Sequence, residues 1–216
     1  MEDSYKARGL RRKLIKIIKR KGIDNLKVID AISKVPRHFF FDDAFIEHAY
    51  QDKAFPIGEG QTISQPYTVA FQSQLLDPGI DDKILEIGTG SGYQACILLE
   101  MGVKLFSIEY NKTLYDKTKK MLPFMGYRPV LKYGDGSLGW PIQAPFDGIL
   151  VTAGAPVVPD ALLEQLKIGG KLVIPVGDNT MQKMLLITRN TESDYVTKEF
   201  DNFSFVPLLG KQGWKK

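Results

Sequence analysis

The pattern of apolar and polar positions divides this chain into three stretches. In residues 6–21 (KARGLRRKLIKIIKRK), Leu10, Leu14, Ile17 and Ile18 fall on one helical face and Lys and Arg fill the rest, predicting a basic amphipathic helix. Asp24 is placed to cap a second helix through Leu26, Ile29 and Ile32, which Lys34 closes before Pro36 forbids continuation. From Pro36 to Tyr67 the period is lost and aromatics accumulate, which predicts a packed loop region serving as a lid or wall. Residues 68–76 regain helical spacing, with Pro66 where a first turn tolerates it.

Beyond residue 80, short apolar runs alternate with amphipathic segments. Strands are expected at 83–87, 104–108, 129–133, 146–152 and 171–176, and helices at 93–101, 113–121 and 159–166, the last ended by Gly169 and Gly170. Strand and helix alternation predicts an α/β fold with a mostly parallel sheet and helices on both faces. The runs at 183–188 and 195–200, separated by RNTESD, predict an antiparallel hairpin closing one edge.

The chemistry concentrates at residues 83–92, KILEIGTGSG. An apolar strand leads into Gly88, Gly90 and Gly92 and then a helix, so bare backbone and unpaired helix amides would face one ligand. The pattern is G-x-G-x-G rather than the G-x-G-x-x-G of dinucleotide sites, and it follows Glu86, an acid that would repel a pyrophosphate but could accept from an ammonium group or hold a water. Glu109 lies about twenty residues past the first glycine, where an acid hydrogen-bonds ribose hydroxyls. A cofactor with both ribose and amine fits best, and S-adenosylmethionine is such a molecule; a dinucleotide site or a plain glycine turn is the alternative. Ligands in such sheets sit at the carboxyl ends of the strands, where Glu86 to Gly92, Glu109, Asp135 and Thr152 to Pro156 are all expected. Asp135 is placed to accept from an adenine amine or simply to shape a turn between two glycines.

Composition narrows the class. The 216 residues, 44% hydrophobic and 25% charged, suffice for one domain with a full core. Cys96, the only cysteine, has no internal disulfide partner, which points to a reducing cytoplasm. No segment has the length and apolarity of a signal peptide core or a membrane span. The net charge of +4 is concentrated in residues 6–21. His38 and His48, the only histidines, match no metal-ligand spacing and are read as structural, so no metal is expected.

Four separated blocks together resemble the protein-L-isoaspartate O-methyltransferase family. They are PRHFF at 36–40, AFPIGEGQTISQPYTVA at 54–70, ILEIGTGSGYQA at 84–95 and FDGILVTAGAPVVPDALLEQLKIGGKLVIPVG at 146–177; the terminal FVPLLG at 205–210 is also similar. The third block is shared with many class I methyltransferases, whereas the second and fourth are specific to the family. The resemblance implies a doubly wound, Rossmann-like methyltransferase sheet with an N-terminal helical extension at 1–35, a substrate region at 36–80 and a cofactor-binding core with the C-terminal hairpin at 81–216. It implies S-adenosylmethionine as donor, S-adenosylhomocysteine as product, and the α-carboxylate of isoaspartyl residues in damaged proteins as acceptor. Ser64 corresponds to the family's active-site serine, with Thr62 and Ile63 beside it at the substrate. The cofactor would lie against Glu86, Gly88, Thr89, Gly90, Ser91, Gly92, Glu109, Asp135 and Gly136. Tyr67 departs from the histidine of many members, which puts local substrate contacts in question.

A carboxylate acceptor is ionised near neutral pH, so its methylation needs no general base, in keeping with the missing His or Cys machinery. Ser64 would donate a hydrogen bond to the acceptor; its structural alternative is a helix cap ahead of Pro66. An RNA or small-molecule methyltransferase, or an RNA-binding module holding the same cofactor, are the competing functions, although AGAP after FDGILVT differs from the Asn-Pro-Pro-Tyr of many nucleic-acid methyltransferases. The expectation is a cytoplasmic monomer with isoaspartyl proteins as partners and with neither a stable nucleic-acid partner nor a membrane.

Overall fold

A computed structural model describes residues 2–41 and 46–215, so part of the expected aromatic lid, at 42–45, lies outside the described residues. Helix α1 (Tyr5–Arg20) starts at Ser4, whose hydroxyl accepts from the Ala7 amide. Its buried stripe is Ala7, Arg11, Leu14 and Ile18, whereas Ile17 is 40% exposed. Arg11, read as part of the basic face, lies on the buried stripe, where its guanidinium donates to Asp3 and to the Tyr50 hydroxyl and the buried charge is paired. Helix α2 (Leu26–Lys34) is capped by Asn25 and not by Asp24. The Gln74 side chain accepts from both amides, Asp24 and Asn25, which holds the chain entry one residue later and leaves Asn25 to accept from Lys27 and Val28.

The aperiodic region contains elements too short to carry a period. They are a 3-10 turn at Arg37–Phe40, helix α3 (Ile46–Ala49), and strands β1 (Phe55–Gly58) and β2 (Gln61–Ile63), which pair as an antiparallel hairpin. Helix α4 (Pro66–Leu76) follows, with Pro66 in its first turn.

The core then runs β3 (Lys83–Ile87), α5 (Tyr93–Glu100), β4 (Lys104–Glu109), α6 (Lys112–Phe124), β5 (Val130–Tyr133), β6 (Phe146–Val151), α7 (Asp160–Glu164), β7 (Leu166–Gly177), β8 (Gln182–Arg189) and β9 (Tyr195–Phe203). Helix α7 is shorter than its pattern suggested, because Leu166 already pairs with Phe146. Gly169 and Gly170 therefore lie inside β7, at an irregularity in its ladder with β6, instead of terminating a helix.

Among the described residues the main sheet has the order β5-β4-β3-β6-β7-β8-β9. The first five are parallel, and β8 and β9 add antiparallel at one edge, as the final two apolar runs predicted. The strands bury both faces. Ile84, Leu150 and Val173 pack with Leu76 of α4 and with Ala95 and Leu98 of α5, while Leu85, Ile149 and Leu172 pack with Leu162 of α7. Helices α1 and α2 form a further layer, with Leu14, Val28 and Ile32 against Val69, Cys96 and Ile97. The strand order reverses between β3 and β6, and that switch point is where a crevice must open.

Candidate active site

A cavity of about 610 Å³ opens at the carboxyl ends of β3, β4, β5 and β6. Of the expected cofactor residues, Gly88, Thr89, Gly90, Ser91, Glu109, Asp135 and Gly136 line it; Glu86 and Gly92 do not. The glycines divide the work. A Cβ on Gly90 would meet only Ile57 Cδ1, at 3.9 Å, so this residue presents open backbone to the cavity at φ +51. Gly92 instead opens α5 at φ +86, and a Cβ there would stand 2.9 Å from Thr118 Cγ2 and 3.0 Å from Leu122 Cδ2, so its bareness lets α6 close on α5.

Glu109, at the end of β4, is 6% exposed. Its Oε2 accepts from the Gly90 amide and its Oε1 from the Asn111 amide, each at 2.7 Å. Two backbone donors thus fix the carboxylate at the cavity wall, and its remaining lone pairs stay available to a ligand. Asp135 is shared: Oδ1 accepts from the Ser137 amide and hydroxyl, and Oδ2 from the Lys211 amide of the C-terminal segment.

Glu86 lies beneath the floor, fully buried. Its Oε2 accepts from the Ser107 hydroxyl at 2.5 Å, and that hydroxyl is 2.6 Å from Thr89 Oγ1 in the glycine turn. Oε1 has no partner among the described residues. Burial pushes this carboxyl up to about 8, further raised by the nearby Glu109 charge and opposed by the Ser107 bond. Its link to the cavity therefore runs through Ser107 and Thr89.

The expected substrate residues lie at the end of the β1–β2 hairpin. Thr62 and Ser64 line the same cavity, whereas Ile63 points into the core at 1% exposure. Helix α4 is entered at Gln65 with no side-chain cap, so Ser64 does not serve as the cap that its position before Pro66 suggested. No described group bonds the Ser64 hydroxyl, while its carbonyl accepts from Arg37 Nη2 at 2.8 Å. The following residues are pinned by Asp52, which accepts from the Gln65 side chain and the Tyr67 amide. The Tyr67 ring stacks on Phe71 and Phe203 outside the cavity.

Sequence reasoning assigned no role to Val206–Leu209, which closes one wall of the cavity. This segment reaches the site through non-local pairing, with Leu208 donating to the Gly154 carbonyl at 2.8 Å and the Trp214 indole donating to the same carbonyl at 3.0 Å. Its signal was the FVPLLG similarity. The histidines are structural in part as read: His38 is buried with Nδ1 2.7 Å from the Tyr50 hydroxyl, and His48 packs edge-on to Phe55.

A sequence model of the protein-L-isoaspartate(D-aspartate) O-methyltransferase family matches residues 9–213. The chain belongs to this family. A protein-L-isoaspartate O-methyltransferase of Cytophaga hutchinsonii is 62% identical over 214 residues, covering 99% of this chain and 97% of its own length. One from Flavobacterium psychrophilum is 55% identical over 210 residues, covering 97% and 98%. A solved protein-L-isoaspartate O-methyltransferase superposes with a TM-score of 0.84 at 27% identity, over 94% of this chain and 67% of that one. A Plasmodium falciparum structure of the same type, in complex with S-adenosyl-L-homocysteine, shares the fold with a TM-score of 0.77 at 24% identity, over 92% of this chain and 98% of that one. Family and fold together make this chain a class I S-adenosylmethionine-dependent methyltransferase.

Proposed function

We propose that this chain transfers a methyl group from S-adenosylmethionine to the α-carboxylate of L-isoaspartyl and D-aspartyl residues in damaged proteins and peptides, with S-adenosylhomocysteine as the product. The observation that carries this reading is that one cavity joins the Gly88–Ser91 turn and Glu109 to Thr62 and Ser64. The residues present fit an adenosyl group. Glu109, held by two amides, has acceptor capacity for ribose hydroxyls, Gly90 lets a ligand lie against backbone, and Asp135 stands at the end of β5 where a base would reach.

When bound, S-adenosylmethionine supplies a methyl group on a positively charged sulfur, an electrophile that an ionised carboxylate attacks directly. The chain has three tasks. Ser64 donates its hydroxyl to one oxygen of the acceptor, fixing which oxygen faces the methyl group. Val69 and the wall at Val206–Leu209 displace water from the carboxylate, which strengthens its nucleophilicity. Glu109 and the Gly88–Ser91 turn would hold the adenosyl end of the cofactor. No residue has to remove a proton, since carboxyl groups of model peptides ionise near pH 4.

The test is an incubation of labelled S-adenosylmethionine with an isoaspartyl peptide, the matching aspartyl peptide and total RNA. Label in the isoaspartyl peptide alone is the expected result; label in RNA would favour a nucleic-acid methyltransferase. The RNA arm is needed because Arg12, Lys13, Lys16, Lys19 and Arg20 are exposed along α1 and form no ion pair among the described residues.

The same reading takes the chain as one methyltransferase domain with a helical extension at 1–35, a substrate region at 36–80 and a cofactor core at 81–216. It works as a monomer with no stable nucleic-acid partner, and light scattering near 24.3 kDa checks this. It is placed in the cytoplasm, supported by the unpaired, buried Cys96. Among the described residues no helix is long and apolar enough to cross a membrane. Cell fractionation finding the protein elsewhere would contradict the placement.

A further inference from the structure

The acceptor is an anion, yet the cavity wall is acidic. Glu59, Glu109 and Asp135 line it, and Lys112, the single lining cation among the described residues, donates to Asp116 and lies over the Tyr115 and Tyr133 rings. Positive charge sits one layer behind. Arg37 is fully buried, its Nη2 donates to the Ser64 carbonyl, and its guanidinium carbon lies 4.5 Å from the centroid of the Tyr93 ring and 5.7 Å from that of Phe41. Both Ser64 and Tyr93 line the cavity, so a single residue's thickness separates the guanidinium from it.

Among the described residues this cation has no carboxylate of its own. Nε and Nη1 find no acceptor among the described residues. Asp52, whose charge reaches Arg37, spends its oxygens on the Lys21 ammonium at 2.6 Å, the Gln65 side chain and the Tyr67 amide. Burial lowers Arg37 to about 10, which leaves it charged at neutral pH. A buried, incompletely paired charge is costly to the fold, and its field is weakly screened in the surrounding low dielectric. Arginine at this point is therefore poorly explained by stability and well explained by the anion that the neighbouring subsite must receive.

We propose that Arg37 is a positioning residue for the acceptor: its buried charge supplies the positive potential that holds the isoaspartyl carboxylate beside Ser64, and its contacts to the Ser64 carbonyl and the Tyr93 ring fix the hairpin end against α5. The proposal rests on the isoaspartyl reading above. It acts on the carboxylate through space and through Ser64, since Arg37 does not line the cavity.

The test uses protein saturated with S-adenosylhomocysteine, whose sulfur is uncharged, and two peptides that differ only in a free or methyl-esterified isoaspartyl α-carboxyl. The wild type should bind the free carboxylate at least about tenfold more tightly than the ester, on the order of one modestly screened charge interaction. Arg37→Met should erase most of that preference and leave ester affinity within about twofold, and Arg37→Lys, which keeps a cation but loses the planar contact with the Tyr93 ring, should retain part of the preference. A wild type without preference, an Arg37→Met protein that keeps it, or one that loses both peptides equally would overturn the proposal, the last by showing a purely architectural role. Should Arg37→Met fail to fold, the wild-type comparison and Arg37→Lys still decide, because loss of preference in the lysine variant also contradicts it. A wild type that prefers the carboxylate but methylates no isoaspartyl peptide would sink the functional reading and leave standing only the Arg37-dependent preference for an anion.

Discussion

Ser64 and Glu109 line one cavity, and their removal should have different signatures. Ser64→Ala is expected to lower kcat/KM for an isoaspartyl peptide about 10- to 100-fold, the scale of one hydrogen bond to a charged acceptor, with S-adenosylhomocysteine affinity unchanged by calorimetry. Glu109→Ala should instead weaken S-adenosylhomocysteine binding by a similar factor, because it removes the proposed ribose acceptor and frees the Gly90 amide. Unchanged turnover in the first, or unchanged affinity in the second, removes that residue from its role. Glu86 makes a different prediction. Its carboxyl is raised to about 8 in the folded protein, so between the unfolded value near 4 and about 8 the native state binds the extra proton and stability falls as pH rises. Glu86→Gln removes that slope, so its Tm relative to wild type should climb from pH 5 to pH 8.5; a constant difference would show that the carboxyl is not raised. The spacing of Glu109 from Gly88 was legible in the sequence because a strand, a turn and a helix have fixed lengths. The burial of Glu86 was not, since it depends on Ser107 arriving from the neighbouring strand.

At the level of elements, the glycine turn joins two demands that one motif concealed. Gly90 faces the cavity, but Gly92 is needed where α5 meets α6. Gly92→Ala should cost about 2–4 kcal/mol, from the left-handed backbone and the crowding of Thr118 and Leu122, and lower the urea midpoint at unchanged m-value. An unaltered midpoint would contradict the packing role. Pattern located the long elements, because α1 buries a periodic stripe and α5, β3 and β6 are buried along consecutive apolar runs. It missed the β1–β2 hairpin, whose strands of four and three residues are too short to repeat a pattern. It also misjudged Gly169 and Gly170, since a glycine pair is compatible with a helix end and with an irregular strand, and only the pairing of Leu166 with Phe146 decides.

For the whole molecule, alternation of strand and helix was enough to foresee the parallel sheet, whereas the strand order, and with it the switch point between β3 and β6, comes only from the pairing of distant strands. The wall at Val206–Leu209 was beyond reach of local pattern, as it is defined by Leu208 and Trp214 returning to Gly154. That return closes a cavity whose two halves come from the hairpin before the sheet and the turns within it, so the proposed donor and acceptor sites share one space. The most direct test mixes the purified protein, S-adenosylmethionine and equal amounts of an isoaspartyl peptide and its aspartyl isomer, then locates the added methyl group by fragmentation mass spectrometry. Methyl ester on the α-carboxyl of the isoaspartyl residue, with the aspartyl isomer untouched, is the predicted result; equal labelling of both isomers, or of neither, would contradict the account.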